Sequence, residues 1–210
     1  SGALDADVLA QLIAALPQGA PGATAAHKRY DAAACAVEIP ADVGFCALGH
    51  NLYALGSSYS GTCPVLSSLV SYGYLWNMVR VQGGAYGTGM NVRRSGDIFC
   101  YSYRDPNLDN TRAVFSAVAD FIENFAAQGM PLDDIIIGAV NTTDPLLDPA
   151  GVCESQCVRA LKGVTPEELA KTRHELLATK PADLAAMAGV LRKYAREGKF
   201  CTFSGTNGGA

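Results

Sequence analysis

Three features of this 210-residue chain predict an α+β fold, an antiparallel sheet with helices packed on one face. Two alternating segments, 85–92 and 97–103, flank Arg93-Arg-Ser-Gly96 in the pattern of a β-hairpin. The last third carries apolar residues at helical spacing behind Thr and Pro start signals. Strands thus come before several helices, with no repeat or low-complexity linker between them. Residues 1–210 are expected to form a single domain, with 204–210 a disordered tail.

Leu4 to Leu16 reads as an amphipathic helix with Leu9, Leu12 and Ile13 on one stripe, ended by Pro17-Gln-Gly-Ala-Pro-Gly22. Segments 25–38 and 43–49 read as strands separated by Pro40-Ala-Asp-Val-Gly44, and 52–61 as a Gly/Ser/Tyr-rich loop. Leu66, Leu69 and Val70 begin the apolar stripe of a helix over 64–79, with Thr62 as its expected cap. After the hairpin, Arg104-Asp-Pro-Asn107 breaks the second strand and caps a long helix bearing Val114, Val118, Phe121 and Phe125. A short helix is expected over 131–140. Thr165-Pro-Glu-Glu168 is a capping box with Pro at the first helical position, so a helix runs from 165 to about 178. Another follows over 181–197, then a terminal strand over 200–203.

Composition excludes several functions. Hydrophobic residues make up 49% and charged residues 17%; the net charge is −4, and no Lys/Arg block is present, which argues against nucleic-acid or anionic-membrane partners. No apolar run approaches the ~20 residues of a membrane span, and no signal-peptide pattern opens the chain. Residue 1 is Ser, and the apolar balance reads as a piece of a larger protein with a former interface exposed. The seven cysteines form no even disulfide framework and read mostly as buried free thiols in a reducing compartment, so a cytoplasmic location is expected.

Familiar catalytic patterns are missing. The three histidines, His27, His50 and His174, form neither HxxEH nor HExxH, since Ala178 stands where the second ligand of His174 would fall. The glycines at 83, 84, 87 and 89 lead into a strand without the Lys-Ser/Thr of a P-loop, and the order helix–turn–strand does not suit a dinucleotide fold. No GxSxG elbow surrounds Ser57, Ser58 or Ser60. A Cys46/His50 pair lacks a visible orienter or oxyanion hole.

What remains is Arg80-Val-Gln-Gly-Gly-Ala-Tyr-Gly87. Glycine has no Cβ and permits sharp turns and close approach, while Arg80 and Tyr86 flank the turn as hydrogen-bond donors suited to carbonyl oxygens. Spacing alone leaves open that Arg80 pairs with a carboxylate and Tyr86 packs on the sheet.

Tyr74-Leu-Trp-Asn-Met-Val-Arg-Val-Gln-Gly-Gly-Ala-Tyr-Gly87, followed by Ser102-Tyr-Arg-Asp-Pro-Asn107, resembles the last domain of presequence-protease-type zinc metallopeptidases. These belong to the insulinase/pitrilysin superfamily, the inverted zincins. The similarity is dense over residues 36–110 and thins beyond. It implies the layered LuxS/mitochondrial processing peptidase-like architecture and a C-terminal, non-zinc domain that closes a chamber over unfolded peptides. Tyr86 would then serve the scissile carbonyl as oxyanion donor, and Arg80 would bind substrate carbonyls. Gly83, Gly84, Ala85 and Gly87 would form the substrate-binding loop. No cofactor is expected in this chain. Zinc would be held by the N-terminal half of the same polypeptide, and the fragment alone would be inactive. The alternative is a non-catalytic docking subunit that pairs with a separate zinc-bearing chain. Asn77 departs from an acidic residue frequent in relatives, and Tyr103-Arg104-Asp105 is expected to be architectural, with Arg104 paired to Asp105 or a neighbouring carboxylate, the alternative being that it faces the chamber.

Overall fold

The structure, a computed structural model, describes residues 6–17, 19 and 33–205. His27, the expected strand residues 25–32 and most of the expected tail lie outside them. A mixed α+β layer is formed by a five-stranded sheet in the order β1-β5-β2-β4-β3. Its strands are β1 Cys35–Glu38, β2 Gly44–Asn51, β3 Gly87–Val92, β4 Asp97–Asp105 and β5 Lys199–Ser204. The hairpin β3–β4 has the expected register, Gly89 opposite Tyr101 and Val92 opposite Ile98. The sheet is not wholly antiparallel: β1 runs parallel to β5 at one edge. The sequence pattern missed this because β5 arrives from the far end of the chain, where only tertiary packing decides its neighbours.

One face of the sheet is buried and the other open. Cys46, Leu48, Ile98, Cys100 and Met90 point into the core, where α2 Thr62–Ser68, the π-helix Leu69–Val81, α3 Leu108–Ser116 and α9 Ala188–Glu197 cover them. Alternate residues Tyr101, Tyr103 and Phe203 stay exposed, as period-two side-chain alternation requires. Tyr194 of α9 is fully buried; its hydroxyl donates to the Leu48 carbonyl at 2.7 Å and accepts from the Cys100 N–H at 2.9 Å. These two residues face each other across β2 and β4, so one phenol ties the helical layer to the sheet centre.

α1 Ala6–Ala14 and α5 Asp133–Thr143 form within a few residues of the expected bounds, while several other helices differ from the sequence expectation. The 64–79 segment continues from α2 as a π-helix to Val81, with the Gln82 N–H bonding the Asn77 carbonyl five residues back. Thr62 does not cap it: Gly61 precedes the first turn, and its N–H donates to Glu175 of α7 Pro166–Leu177 at 2.8 Å. A distant carboxylate thus satisfies a donor that a local side chain was expected to reach. The helix after Asn107 is two, α3 and α4 Val118–Ala127, broken at Ala117 with φ −92° and ψ 5°. The 181–197 segment likewise divides at Met187 into α8 Pro181–Ala186 and α9. No Gly or Pro stands at either break, and each is followed directly by buried residues, Val118 and Ala119 in one case and Ala188 in the other. The Thr165 capping box forms as expected, with both reciprocal bonds present.

The cysteines are corrected in part. Cys46, Cys63 and Cys100 are buried, but Cys35, Cys153 and Cys157 are exposed and Cys201 is half-buried. The pair at 153 and 157 lies on α6 Pro149–Leu161, a helix with no buried residue among those described.

Candidate functional site

Arg80 sits in the last turn of the π-helix, and Tyr86 follows the glycine turn at the start of β3. The turn is built by backbone geometry. Gly84 has φ +84° and its N–H donates to the Arg80 carbonyl at 3.0 Å, a left-handed helix cap that a side chain would strain. At Gly83 a Cβ would stand 2.5 Å from the Val79 carbonyl oxygen. Ala85 is buried, and its N–H is taken by the Val79 carbonyl at 3.1 Å. Of the four expected loop residues, Gly83, Gly84 and Ala85 shape the turn, while Gly87 alone lines the adjoining groove.

The turn brings Arg80 and Tyr86 together. The guanidinium carbon of Arg80 lies 3.9 Å from the centre of the Trp76 ring and 5.9 Å from that of Tyr86. Trp76 and Arg80 are four apart, hence on one helix face. Tyr86 is 65% exposed; its N–H is held by the Tyr103 and Arg104 carbonyls, at 3.1 and 3.3 Å. The carboxylate partner for Arg80 is not realised, since among the described residues Arg80 makes no ion pair, and Tyr86 meets the sheet only edge-on at Tyr103. Both donors face a groove of about 590 Å³ between the π-helix and β3.

Arg104 departs from its leading expectation, a pairing with a carboxylate at the strand end. It is the one described non-glycine residue with positive φ, +49°, and its guanidinium lies 6.0 Å from the Tyr86 ring centre. It does not pair with Asp105. The buried Asp105 carboxylate instead accepts from the Asn107 N–H at 2.8 Å and the Thr111 hydroxyl at 2.6 Å, and Asn107 caps α3. That anchor fixes the corner and holds Arg104 in its costly conformation. Trp76, Arg80, Tyr86 and Arg104 therefore alternate aromatic ring and cation, a favourable stacking that leaves the N–H edges of both guanidinia for other acceptors. An unusual φ has no sequence signature outside glycine.

From Tyr86 an aromatic track crosses the open face. The Tyr86 and Tyr103 ring centres are 5.8 Å apart, those of Tyr103 and Phe45 5.3 Å, and Phe45 pairs with Phe203 across β2 and β5. Beside it Gly89 makes room for the Tyr101 ring, since a Cβ there would stand 2.9 Å from the Tyr101 hydroxyl. Tyr59 lines the groove at its other side, its phenol pushed above the usual value by burial.

Other candidates fall away. Cys46 points into the core, its thiol pushed up to about 12, chiefly by burial, so it is no nucleophile for a pairing with His50. His174 is on the exposed surface of α7. Among the described residues no group of three or more His, Cys, Asp or Glu is placed to hold a metal ion. No described helix is long and apolar enough to cross a membrane.

The architecture defines the class. The peptidase M16 inactive domain from Pseudomonas fluorescens shares it with TM-score 0.63 at 15% identity, over 97% of this chain and 51% of that one. Pitrilysin does so with TM-score 0.56 at 12% identity, over 83% and 20%. The fold is that of the M16 peptidase domains. Within that class, residues 35–203 match the family model of the PreP C-terminal domain, and the chain belongs to that family. The Protein HypA of Clostridium perfringens is 31% identical over 76% of this chain, and Presequence protease 1, chloroplastic/mitochondrial, of Arabidopsis thaliana is 34% identical over 73%. This chain spans 16% and 14% of their respective lengths.

Proposed function

We propose that this chain is the substrate-gripping, chamber-closing domain of a metalloendopeptidase acting on unfolded peptides, working as one domain opposite an N-terminal half of the same polypeptide. The observation that carries the reading is the pair of half-buried Arg80 and exposed Tyr86, held by a glycine turn and free of acidic partners among the described residues. Tyr86 donates its hydroxyl to the oxyanion that develops on the scissile carbonyl, a contribution of ~10²–10³ in rate. Arg80, oriented by Trp76, binds neighbouring substrate carbonyls, and Arg104 adds a second cation beside the same phenol. Presenting these donors on a separate half makes catalysis depend on closure, which excludes water. The aromatic track offers apolar contact to an extended peptide.

The superfamily implies zinc, but the donors of this chain do not fit it. The sequence lacks HxxEH and the described residues form no ligand cluster, so zinc belongs to the opposing half in this proposal and the isolated chain is inactive. A reducing compartment such as the cytoplasm is part of the same reading. The docking-subunit reading draws support from the shared fold of an inactive M16 domain, and kinetics separate the two. In the full-length protein, R80A and Y86F should each lower kcat/KM by at least about tenfold with metal content unchanged. Wild-type kinetics in both variants would favour docking.

A further inference from the structure

Cys35 and Cys201 stand directly opposite each other on the parallel strands β1 and β5, with their sulfurs 2.8 Å apart. A disulfide bond is about 2.05 Å long and joins residues whose Cα atoms lie about 4.4–6.8 Å apart, the range that neighbouring strands provide. Both thiols are free; Cys35 is exposed and Cys201 half-buried. The three buried cysteines are enclosed by core atoms, and Cys153 and Cys157 lie on a different element, α6. Cross-strand register puts the pair in a single row, Gly89–Tyr101–Ala47–Cys201–Cys35, that crosses all five strands on the open face. The row leads from the groove beside Tyr86 to the outer edge strand.

We propose that Cys35 and Cys201 are a dithiol modification site that reacts with low-molecular-weight disulfides to form a cross-strand disulfide anchoring edge strand β1 to β5. The reaction balances as thiol–disulfide exchange. The Cys35 thiolate attacks one sulfur of the small disulfide, forming a mixed disulfide and releasing one small thiol. The Cys201 thiolate then attacks the Cys35 sulfur, closing the protein disulfide and expelling the second small thiol. Two protein thiols are oxidised, one small disulfide is reduced, and the two protons leave on the released thiols or to solvent. Cys35 is the exposed thiol and Cys201 the half-buried one, so Cys35 meets the small disulfide first and Cys201 resolves; the hydrogen bond between them also raises the Cys201 thiol above its usual value. β1 has only four residues and one neighbour in the sheet, so a covalent tie there changes the strand most in need of one.

The test uses the full-length protein carrying C153S and C157S, incubated with glutathione disulfide, alkylated and mapped by peptide mass spectrometry. The expected product joins the Cys35 and Cys201 peptides, with alkylation lost at both positions together and no glutathione retained. C35S and C201S, near-isosteric at their sites, should each trap a lasting glutathione adduct on the remaining thiol. Hydrogen exchange of the 35–38 amides should slow on oxidation and recover with a dithiol reductant. Undiminished alkylation at both cysteines, or separate glutathione adducts on both in the intact pair, would overturn the site. Unchanged exchange despite the bond would overturn the anchoring. None of these readouts depends on peptidase activity.

Discussion

Tyr194 shows how much one buried polar group organises. Its hydroxyl serves one donor and one acceptor on the two central strands, from a helix 94 and 146 residues away in sequence. Y194F keeps the ring and its packing but leaves the Cys100 N–H and Leu48 carbonyl without that partner. The variant should lose about 1–3 kcal/mol of stability, read as a lower denaturant midpoint at unchanged slope. Nothing in the local pattern of α9 distinguishes this tyrosine from an apolar core residue, so its role was not legible. That Arg80 and Tyr86 flank one turn was legible, because the glycines between them announce it. Trp76 and Arg104 were not assigned to the site, since they meet Arg80 and Tyr86 in space rather than by spacing.

α2, through Ser67, and the π-helix, through Ser71, seal β3. Ser71 accepts from the Met90 N–H at 2.9 Å and donates to its carbonyl at 3.2 Å, while Ser67 accepts from the Val92 N–H at 3.1 Å. β3 is an edge strand, and these hydroxyls occupy backbone groups that would otherwise template another chain. The double variant S67A/S71A should lose roughly 1–3 kcal/mol and gain self-association, measured by thermal unfolding and light scattering. Unaltered melting and scattering would refute the sealing role. Helices and hairpin were readable from apolar periodicity and start signals, and the Thr165 capping box formed where Thr and Glu stood three apart. The helical pitch over 69–81 and the breaks at Ala117 and Met187 were not, because the stripe of apolar residues survives either geometry.

Across the whole molecule, the helical layer covers a core that holds Cys46 and Cys100, both thiols pushed up to about 12, chiefly by burial. Their folded values lie above the unfolded one, so the unfolded state releases protons first as pH rises. Stability should be level up to about pH 8, then fall above the ordinary thiol range near 8.5, losing about 1.4 kcal/mol per pH unit for fully buried Cys100 until about 12. Denaturant midpoints at pH 7.5 and 9.5 would show this fall, and a C100A variant should flatten part of it. A profile that stays level to pH 10 would contradict it. By itself the sequence determined that the chain is α+β, that it carries the Arg–glycine–Tyr turn, and that it lacks a zinc motif, because these depend on local periodicity, turn chemistry and residue identity. Tertiary structure alone decided that β1 runs parallel to β5, that Asp105 fixes the corner beneath Arg104, and that Cys35 meets Cys201, because each depends on contacts between segments that periodicity and turn chemistry do not pair.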